Sequence, residues 1–442
     1  MEVSLHEILD ARERRAARQR QLLEKFHSPL ICFTMNIAGP EKNSPLITRG
    51  FRYGCALLKA QLLGVSLPVL CEETEDADTG CEGYYVVDGQ PETIKALCVQ
   101  IEDSLPVGRL FDMDVLLGNG RKISREELGL PGRTCLICGG PVHLCSRSRA
   151  HSVSQLQEKT QCLLQDALFD QDARQIGQLA VKALLYEVCI TPKPGLVDRQ
   201  NTGSHKDMDI FTFMSSTAAL GPYFSDCARI GMETATLSPR ETFEQIRFRG
   251  RCAEQEMYQA TGGINTHKGA IFSLGILCAA AGRVSDHLPE NICTQAKAMC
   301  AGLTERDMSG NHCATTGEKL WKTQGISGAR GQAEAGFPAV LEVGLPVLRQ
   351  GLAQGLSLNE AGAVTLMHLI PATQDTNLYA RSDAHTQAAV CQEIRKLLEA
   401  NPFPTQEVLE EWDAKFIQKN LSPGGSADLL AASFFLYFLK EE

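Results

Sequence analysis

The 442-residue sequence predicts two domains: an N-terminal α/β (or α+β) domain and a C-terminal, nearly all-α domain. Three observations carry this. The length exceeds what one ordinary hydrophobic core serves. Up to about Ala150 the chain carries short strand-like runs bounded by turn residues. After "HSVSQLQEKTQCLLQ" it changes to long Ala/Leu-rich segments of helical period joined by Gly/Pro loops, with no repeat of fixed period.

The elements follow in order. "MEVSLHEILDARERRAARQRQLLEKF" is charged throughout, so it reads as an exposed helix and not as a signal peptide. "PLICFTMNI" reads as a strand ending at Gly39-Pro40, and "GYYVVDG" as a short, turn-bounded one. "IKALCVQIE" and "GRLFDMDVLLGNG" are further strand-like runs, and Asn119-Gly120 is a hairpin-turn signal. Ser124 and Glu127 form a capping-box pattern that opens a short helix. Residues 151–165 are a polar linker or a linking helix, and the division is set at 160/161. Beyond it a helix reaches Glu187 and stops at "TPKPGLVD", where Pro192 and Pro194 hold an extended loop. Further helices open at "GSHKDMDIF", after "GGINTHKG" and at "SPGGSADLL".

Bulk properties exclude several classes. Acidic residues number 53 against 43 basic ones, a net charge of −10, so nonspecific nucleic-acid binding is not expected. The longest apolar stretches, such as "AIFSLGILCAAAG", are too short and interrupted to span a bilayer, so no membrane partner is expected. Seventeen cysteines without a secretory signal point to reduced thiols in a cytoplasmic protein.

The first chemical motif is "GRLFDMDVLL". Strand alternation puts Phe111, Met113 and Val115 on one face and Asp112 and Asp114 on the other. Carboxylates two residues apart on a strand lie about 7 Å apart and can share Mg²⁺ with substrate phosphates. Gly108 and Arg109 just before them suit phosphate: close backbone approach and a bidentate cation. The bland alternative is an exposed strand whose outward residues are Asp. A cluster of Cys135, Cys138, His143, Cys145 and His151 follows. Cys135-x-x-Cys138 has metal-knuckle spacing, but the remaining spacings match no common zinc module. Reduced thiols are the expectation, with zinc on Cys135, Cys138 and Cys145 as the alternative. Arg147 and Arg149 nearby could meet phosphate.

The second set lies on helices. Ile176, Ala180, Ala183 and Glu187 share one face, and a glutamate on an apolar face is costly unless paired, protonated or metal-bound. Lys193 and Asp198 project from the following loop, and His205, Lys206, Asp207 and Asp209 sit where the next helix starts. Acids there can be plain helix-dipole complements. In "GGINTHKGAIFSLG", Asn265 or Thr266 can cap the helix, and free amides with Lys268 beside His267 make an anion site. The lysine precedes the glycine, so this is not a Walker loop. Arg330 in "GARGQAEAGFP", Asp375, Asn377 and Arg381 in "QDTNLYAR", and Asp428 in "SPGGSADLL" extend the pattern. Each has a helix-cap alternative; together they argue for an enzyme.

These stretches carry a resemblance. Residues 1 to about 160, with "FTMNIAGP", "GRLFDMDV" and "CLICGGPVHLCSRSRAHS", resemble apo-citrate lyase phosphoribosyl-dephospho-CoA transferases. Residues from about 165 onward resemble triphosphoribosyl-dephospho-CoA synthases, on "EVCITPKPGLVDRQNTGSHKDMD", "GGINTHKGAIFSLG", "GARGQAEAGFP" and "DTNLYAR". The resemblance implies a nucleotidyltransferase-like N-terminal domain, with Mg²⁺ and with ATP, 3′-dephospho-CoA and the apo-citrate lyase acyl carrier subunit as partners. It implies two reactions. ATP and dephospho-CoA give 2′-(5″-triphosphoribosyl)-3′-dephospho-CoA and adenine; the phosphoribosyl-dephospho-CoA part then passes to a carrier serine with loss of pyrophosphate. On that reading Glu187, Asp207, Asp209 and Asp375 work at the metal and ribose, and Lys193, His205, Asn265, Lys268 and Arg330 hold phosphates. Asp112 and Asp114 hold Mg²⁺ in the transfer. The equivalent system of malonate decarboxylase, a noncatalytic nucleotide- and carrier-binding protein, and a glycohydrolase stay open as alternatives.

Overall fold

The computed structural model describes residues 3–308, 316–382 and 384–441. The chain divides into two compact units, Met1–Asp170 and Gln171–Glu442. In the first unit, α1 (Leu5–Phe26) leads into β1 (Leu30–Met35), α2 (Pro45–Gly64), β2 (Val69–Ala77), β3 (Gly80–Val87), α3 (Pro91–Ser104), β4 (Phe111–Leu116) and α4 (Val142–Ser148). One helix, α5 (Val153–Cys189), then runs through the division. It starts at a capping box, with Ser152 and Gln155 each accepting the other's backbone N–H. Of the two readings of residues 151–165, the linking helix is the one the structure contains.

The sheet has order β2-β3-β1-β4 and every pairing is antiparallel, so the first unit is α+β. Alternation sorts its two faces. Ile31, Phe33, Tyr85, Val87, Phe111, Met113 and Val115 join residues of α2 and α3 in the main core, with Leu163 and Leu164 from α5. Leu30, Cys32, Tyr84, Val86 and Leu116 meet Leu22 and Leu23 of α1 on the other face.

Among the described residues β4 pairs with β1 alone of the strands, so its outer edge needs other partners. Helix α3 supplies them. Glu102 accepts the Met113 N–H at 2.8 Å, and Lys95 donates to the Met113 carbonyl at 2.8 Å. Arg133 donates to the Phe111 carbonyl at 2.6 Å, and the Ile123 N–H to the Val115 carbonyl.

"IKALCVQIE" is therefore not a strand; it lies in α3. Pro91 at the helix start and a buried face through Ile94, Cys98 and Ile101 outweigh the β-branched character of the run. β2 carries no strand signature in its sequence, because the acid-rich "VLCEETEDA" buries nothing fully. Asn119-Gly120 makes its turn, but the hairpin carries a single bridge, Leu116 to Lys122. The Ser124–Glu127 box forms and opens only a three-residue 3-10 turn.

The second unit is helical throughout its described residues. It comprises α6 (Ile210–Glu233), α7 (Pro239–Ala260), α8 (Lys268–Arg283), α9 (Pro289–Met299), α10 (Leu303–Met308), α11 (Thr316–Gln324), α12 (Gly328–Ala335) and a π-helical turn at Ala339–Gly344. Then come α13 (Leu345–Ala353), α14 (Leu358–Ala372), α15 (Thr376–Arg381), α16 (Ala384–Ala400), α17 (Gln406–Gln418) and α18 (Gly424–Glu441). Helix α8 is central and almost wholly buried from Ala270 to Ala281. It packs closely on α6: a Cβ on Gly231 would stand 2.1 Å from the Ala279 carbonyl oxygen, and one on Gly282 2.1 Å from that of Ala228. No helix among the described residues is long and apolar enough to cross a membrane.

Candidate active sites

In the second unit the polar residues gather at the N-terminus of α8. Glu187, near the end of α5, and Lys193, in the loop after it, are both buried and joined at 2.5 Å. A buried pair of this kind resists disruption, because removing one partner strands the other. Asp428, on the fifth residue of α18, meets α8 directly. A Cβ on Gly269 would stand 1.9 Å from its Oδ2, so its carboxylate lies against the first turn of α8. The helix terminus that the sequence assigns to a phosphate thus holds a carboxylate of the chain itself. Burial, then the charges of Glu187 and Asp375, push the Asp428 pKa well above the usual carboxylate range.

His267 completes this group. It is buried, its Nδ1 lies 2.7 Å from the Ser216 hydroxyl, and its Nε2 is buried without a partner. Burial, and secondly Lys193, lower its pKa to about 3, so the imidazole is neutral near pH 7. Asp375 is buried and caps two helices: it accepts from the Asn377 and Leu378 N–H groups of α15 and from the Ser426 N–H and hydroxyl of α18. Burial raises its pKa despite those bonds. Among the described residues, the three carboxylates do not converge closely enough to hold one ion by themselves.

The loop between α5 and α6 is tied by its own acids. Asp198 accepts from the N–H groups of Lys193, Gln200 and Asn201. Asp413 of α17 accepts from the Gly195 N–H at 2.9 Å and the Asn201 amide at 2.8 Å. The sequence reading missed Asp413, although the signal that picked out Glu187 was there: Leu409, Asp413 and Phe416 share a buried face. His205 bonds to Ser422 at 2.9 Å and to Arg381 at 3.2 Å; burial and then Arg381 lower its pKa. Arg381 also donates to the Ser204 carbonyl.

The remaining predicted residues sit at the surface. Asp207 is exposed, 4.0 Å from His205. Asp209 is exposed and caps α6 through a box with Thr212. Asn265 accepts the Lys268 N–H at 3.3 Å, and the Lys268 ammonium lies 2.9 Å from Glu254. Arg330 lies 3.4 Å from Asp307, which Arg247 shares. Asn377 is exposed beside Gly424.

In the first unit Asp112 and Asp114 stand half-buried on one face of β4, as strand alternation requires. Asp114 is ion-paired with Lys122. Asp112 lies 3.4 Å from Arg133, which also pairs with Glu102 at 2.7 Å. Burial first, then the like charge of Asp114, raise the Asp112 pKa, with Arg133 opposing. Gly108 packs on α3, where a Cβ would stand 2.5 Å from the Ile101 carbonyl oxygen. Arg109 donates to the Thr134 and Cys135 carbonyls. A cleft of about 320 Å³ between α1 and β2–β3 does not include the aspartates, and its Arg15 and Arg18 are already bonded to Glu82 and Glu73.

Comparison with known proteins covers both units. The apo-citrate lyase phosphoribosyl-dephospho-CoA transferase family matches residues 3–167, and the ATP:dephospho-CoA triphosphoribosyl transferase family residues 173–442. The chain is 35% identical to Protein CitXG of Haemophilus influenzae, over 99% of its own length and 96% of the relative's. It is 34% identical to Protein CitXG of Leuconostoc mesenteroides subsp. cremoris, over 98% and 97%. It is 40% identical to the 2-(5''-triphosphoribosyl)-3'-dephosphocoenzyme-A synthase of Escherichia fergusonii, over 61% of this chain and 93% of that one.

Proposed function

The chain belongs to the CitXG family, in which the two transferases are fused, and from that premise we propose how each unit works. The protein is a bifunctional transferase. It makes the precursor of the citrate lyase prosthetic group and attaches that group to apo-citrate lyase.

In the second unit, the 2′-hydroxyl of 3′-dephospho-CoA attacks C1 of the ATP ribose and adenine leaves. The new bond is C1–O, the broken one C1–N, and the triphosphate stays whole. The observation that carries this reading is the buried group at the start of α8: Glu187 bonded to Lys193, with Asp428 and a neutral His267 beside it. A hydroxyl proton must be taken and adenine must be protonated, and carboxyl groups in contrasting environments suit those two tasks. Glu187 takes the proton. Asp428, held in its acid form by burial and by its neighbours' charges, supplies one to adenine. Negative charge at Glu187 and Asp375 stabilises the oxocarbenium-like ribose.

Lys193 serves Glu187 and is not free for phosphate. Lys268 is better suited: its half-exposed pair with Glu254 is worth on the order of 1 kcal/mol, so a triphosphate displaces it readily. Asp207 on the exposed loop would hold Mg²⁺ together with that triphosphate, where the ion would screen its charge.

The first unit works as a nucleotidyltransferase-like domain. Asp112 and Asp114 would hold Mg²⁺, which would neutralise the α-phosphate under attack by the carrier serine. They fit such an ion: they are half-buried on one strand face, and the charge of Asp114 opposes ionisation of Asp112, which a cation would relieve. Arg133 keeps Asp112 in place.

Incubation with ATP, Mg²⁺ and dephospho-CoA should release free adenine. ADP without adenine would overturn the reading, and adenine release without dephospho-CoA would make the unit a glycohydrolase. Asp428→Asn should slow adenine release by about 10²–10⁴-fold. A noncatalytic nucleotide-binding protein would show neither effect.

A further inference from the structure

We propose that Cys135, Cys138, Cys145 and His151 hold one structural zinc ion. Their ligand atoms all lie within 4.8 Å of one another. Three thiols and an imidazole are the donor set of a closed tetrahedral zinc site, with no position left for a reacting water.

The backbone builds the site in two steps. The Cys135 N–H donates to the Gly140 carbonyl at 2.6 Å, and the Gly139 N–H to the Cys135 carbonyl at 3.0 Å. Gly139, at φ 70°, lets the chain turn back so that Cys138 lies beside Cys135. Helix α4 then brings in Cys145, whose Sγ is 3.4 Å from that of Cys138. The helix ends at Arg149 in the left-handed region, and the chain delivers His151.

A second observation is independent of the spacing. His151 Nε2 is buried and has no hydrogen-bond partner. Such a nitrogen carries its full desolvation cost unless something ligates it. His143, in the same segment, stays outside the group.

The segment also lacks other means of support. Between Leu117 and Val153 its regular structure is one three-residue turn and the seven-residue α4. Ile123 and Cys135 are its buried hydrophobic residues. A stretch with so little core needs a staple, and zinc binding supplies folding free energy. The staple has a purpose. Arg109 grips the Thr134 and Cys135 carbonyls, and Arg133, two residues before Cys135, reaches both Glu102 and Asp112. The zinc knuckle is a positioning device for the carboxylate pair on β4.

The test is metal analysis of the full chain, purified without chelators and with thiols kept reduced. The expected result is about one zinc per chain. Chains loaded with Co²⁺ instead should show thiolate-to-cobalt charge transfer and tetrahedral d–d bands, a readout that needs no variant. Cys145→Ser and His151→Ala should each retain zinc at least about tenfold more weakly, while His143→Ala retains it fully. Less than about half an equivalent of zinc, iron in its place, unchanged binding in Cys145→Ser, or a Cys138–Cys145 disulfide in anaerobically isolated chain would each overturn the proposal.

Discussion

His267 shows how much a single side chain can report. Its folded-state pKa, about 3, lies below the 6.5 of an unperturbed histidine, so the unfolded chain binds the extra proton as pH falls. Its contribution to stability is therefore full above about pH 6.5 and is lost progressively toward pH 3. The slope is at most about 1.4 kcal/mol per pH unit. His267→Gln should flatten that part of the curve for the second unit's unfolding transition, measured in urea between pH 7.5 and about 5. Gly269 makes the complementary point. A methyl group there must push the Asp428 carboxyl off the end of α8, since its Cβ would stand 1.9 Å from Oδ2. Gly269→Ala should cut adenine release by about 10²-fold, the usual cost of a displacement near 1 Å. An unaffected rate would remove Asp428 from the chemistry.

At the scale of elements, β4 is the instructive case. An edge strand carrying two acids is a poor strand by itself, and α3 makes it viable by satisfying both polar groups of Met113. Glu102 accepts that N–H while pairing with Arg125 and Arg133. Glu102→Gln keeps an acceptor for the N–H but removes the buried charge that both guanidinium groups share, leaving Arg125 with Asp103 and Arg133 with Asp112. The expected loss is about 1.5–3 kcal/mol in the first unit's unfolding transition, the range for hydrogen bonds to charged groups, with adenine release unchanged. Equal loss of both activities would show that Glu102 supports more than β4. Lys95 and Glu102 carry this signal as two charges on a buried helix face, whereas strand alternation puts them on opposite faces.

Across the whole molecule, the two reactions belong to units with separate cores. Asp112→Asn should abolish modification of the carrier subunit and leave adenine release at its original rate. Glu187→Gln should do the reverse when the triphosphoribosyl precursor is supplied. If either variant lost both activities, the assignment of one reaction to each unit would fail. The division falls within α5, ten residues beyond the position read from the sequence. Leu163 and Leu164 belong to the first core while Ala173 and Ile176 belong to the second, and a continuous helix shows no break in composition at such a point.

The sequence by itself determined the family, the two-unit organisation and the faces of single elements. Long motifs such as "GGINTHKGAIFSLG" are specific, and periods of two and 3.6 residues are local properties of the backbone. Alternation placed Asp112 and Asp114 on one face, and helical period put Glu187 on a buried one. Only the tertiary structure decided which polar groups meet. Asp413 reaches Gly195 across 218 positions, Asp375 reaches Ser426 across 51, and Asp428 fills the helix end that the local pattern reserved for a phosphate. Hydrogen bonds and ion pairs act over a few ångströms, and distances of that size between remote residues are set by how helices pack, which no local period encodes.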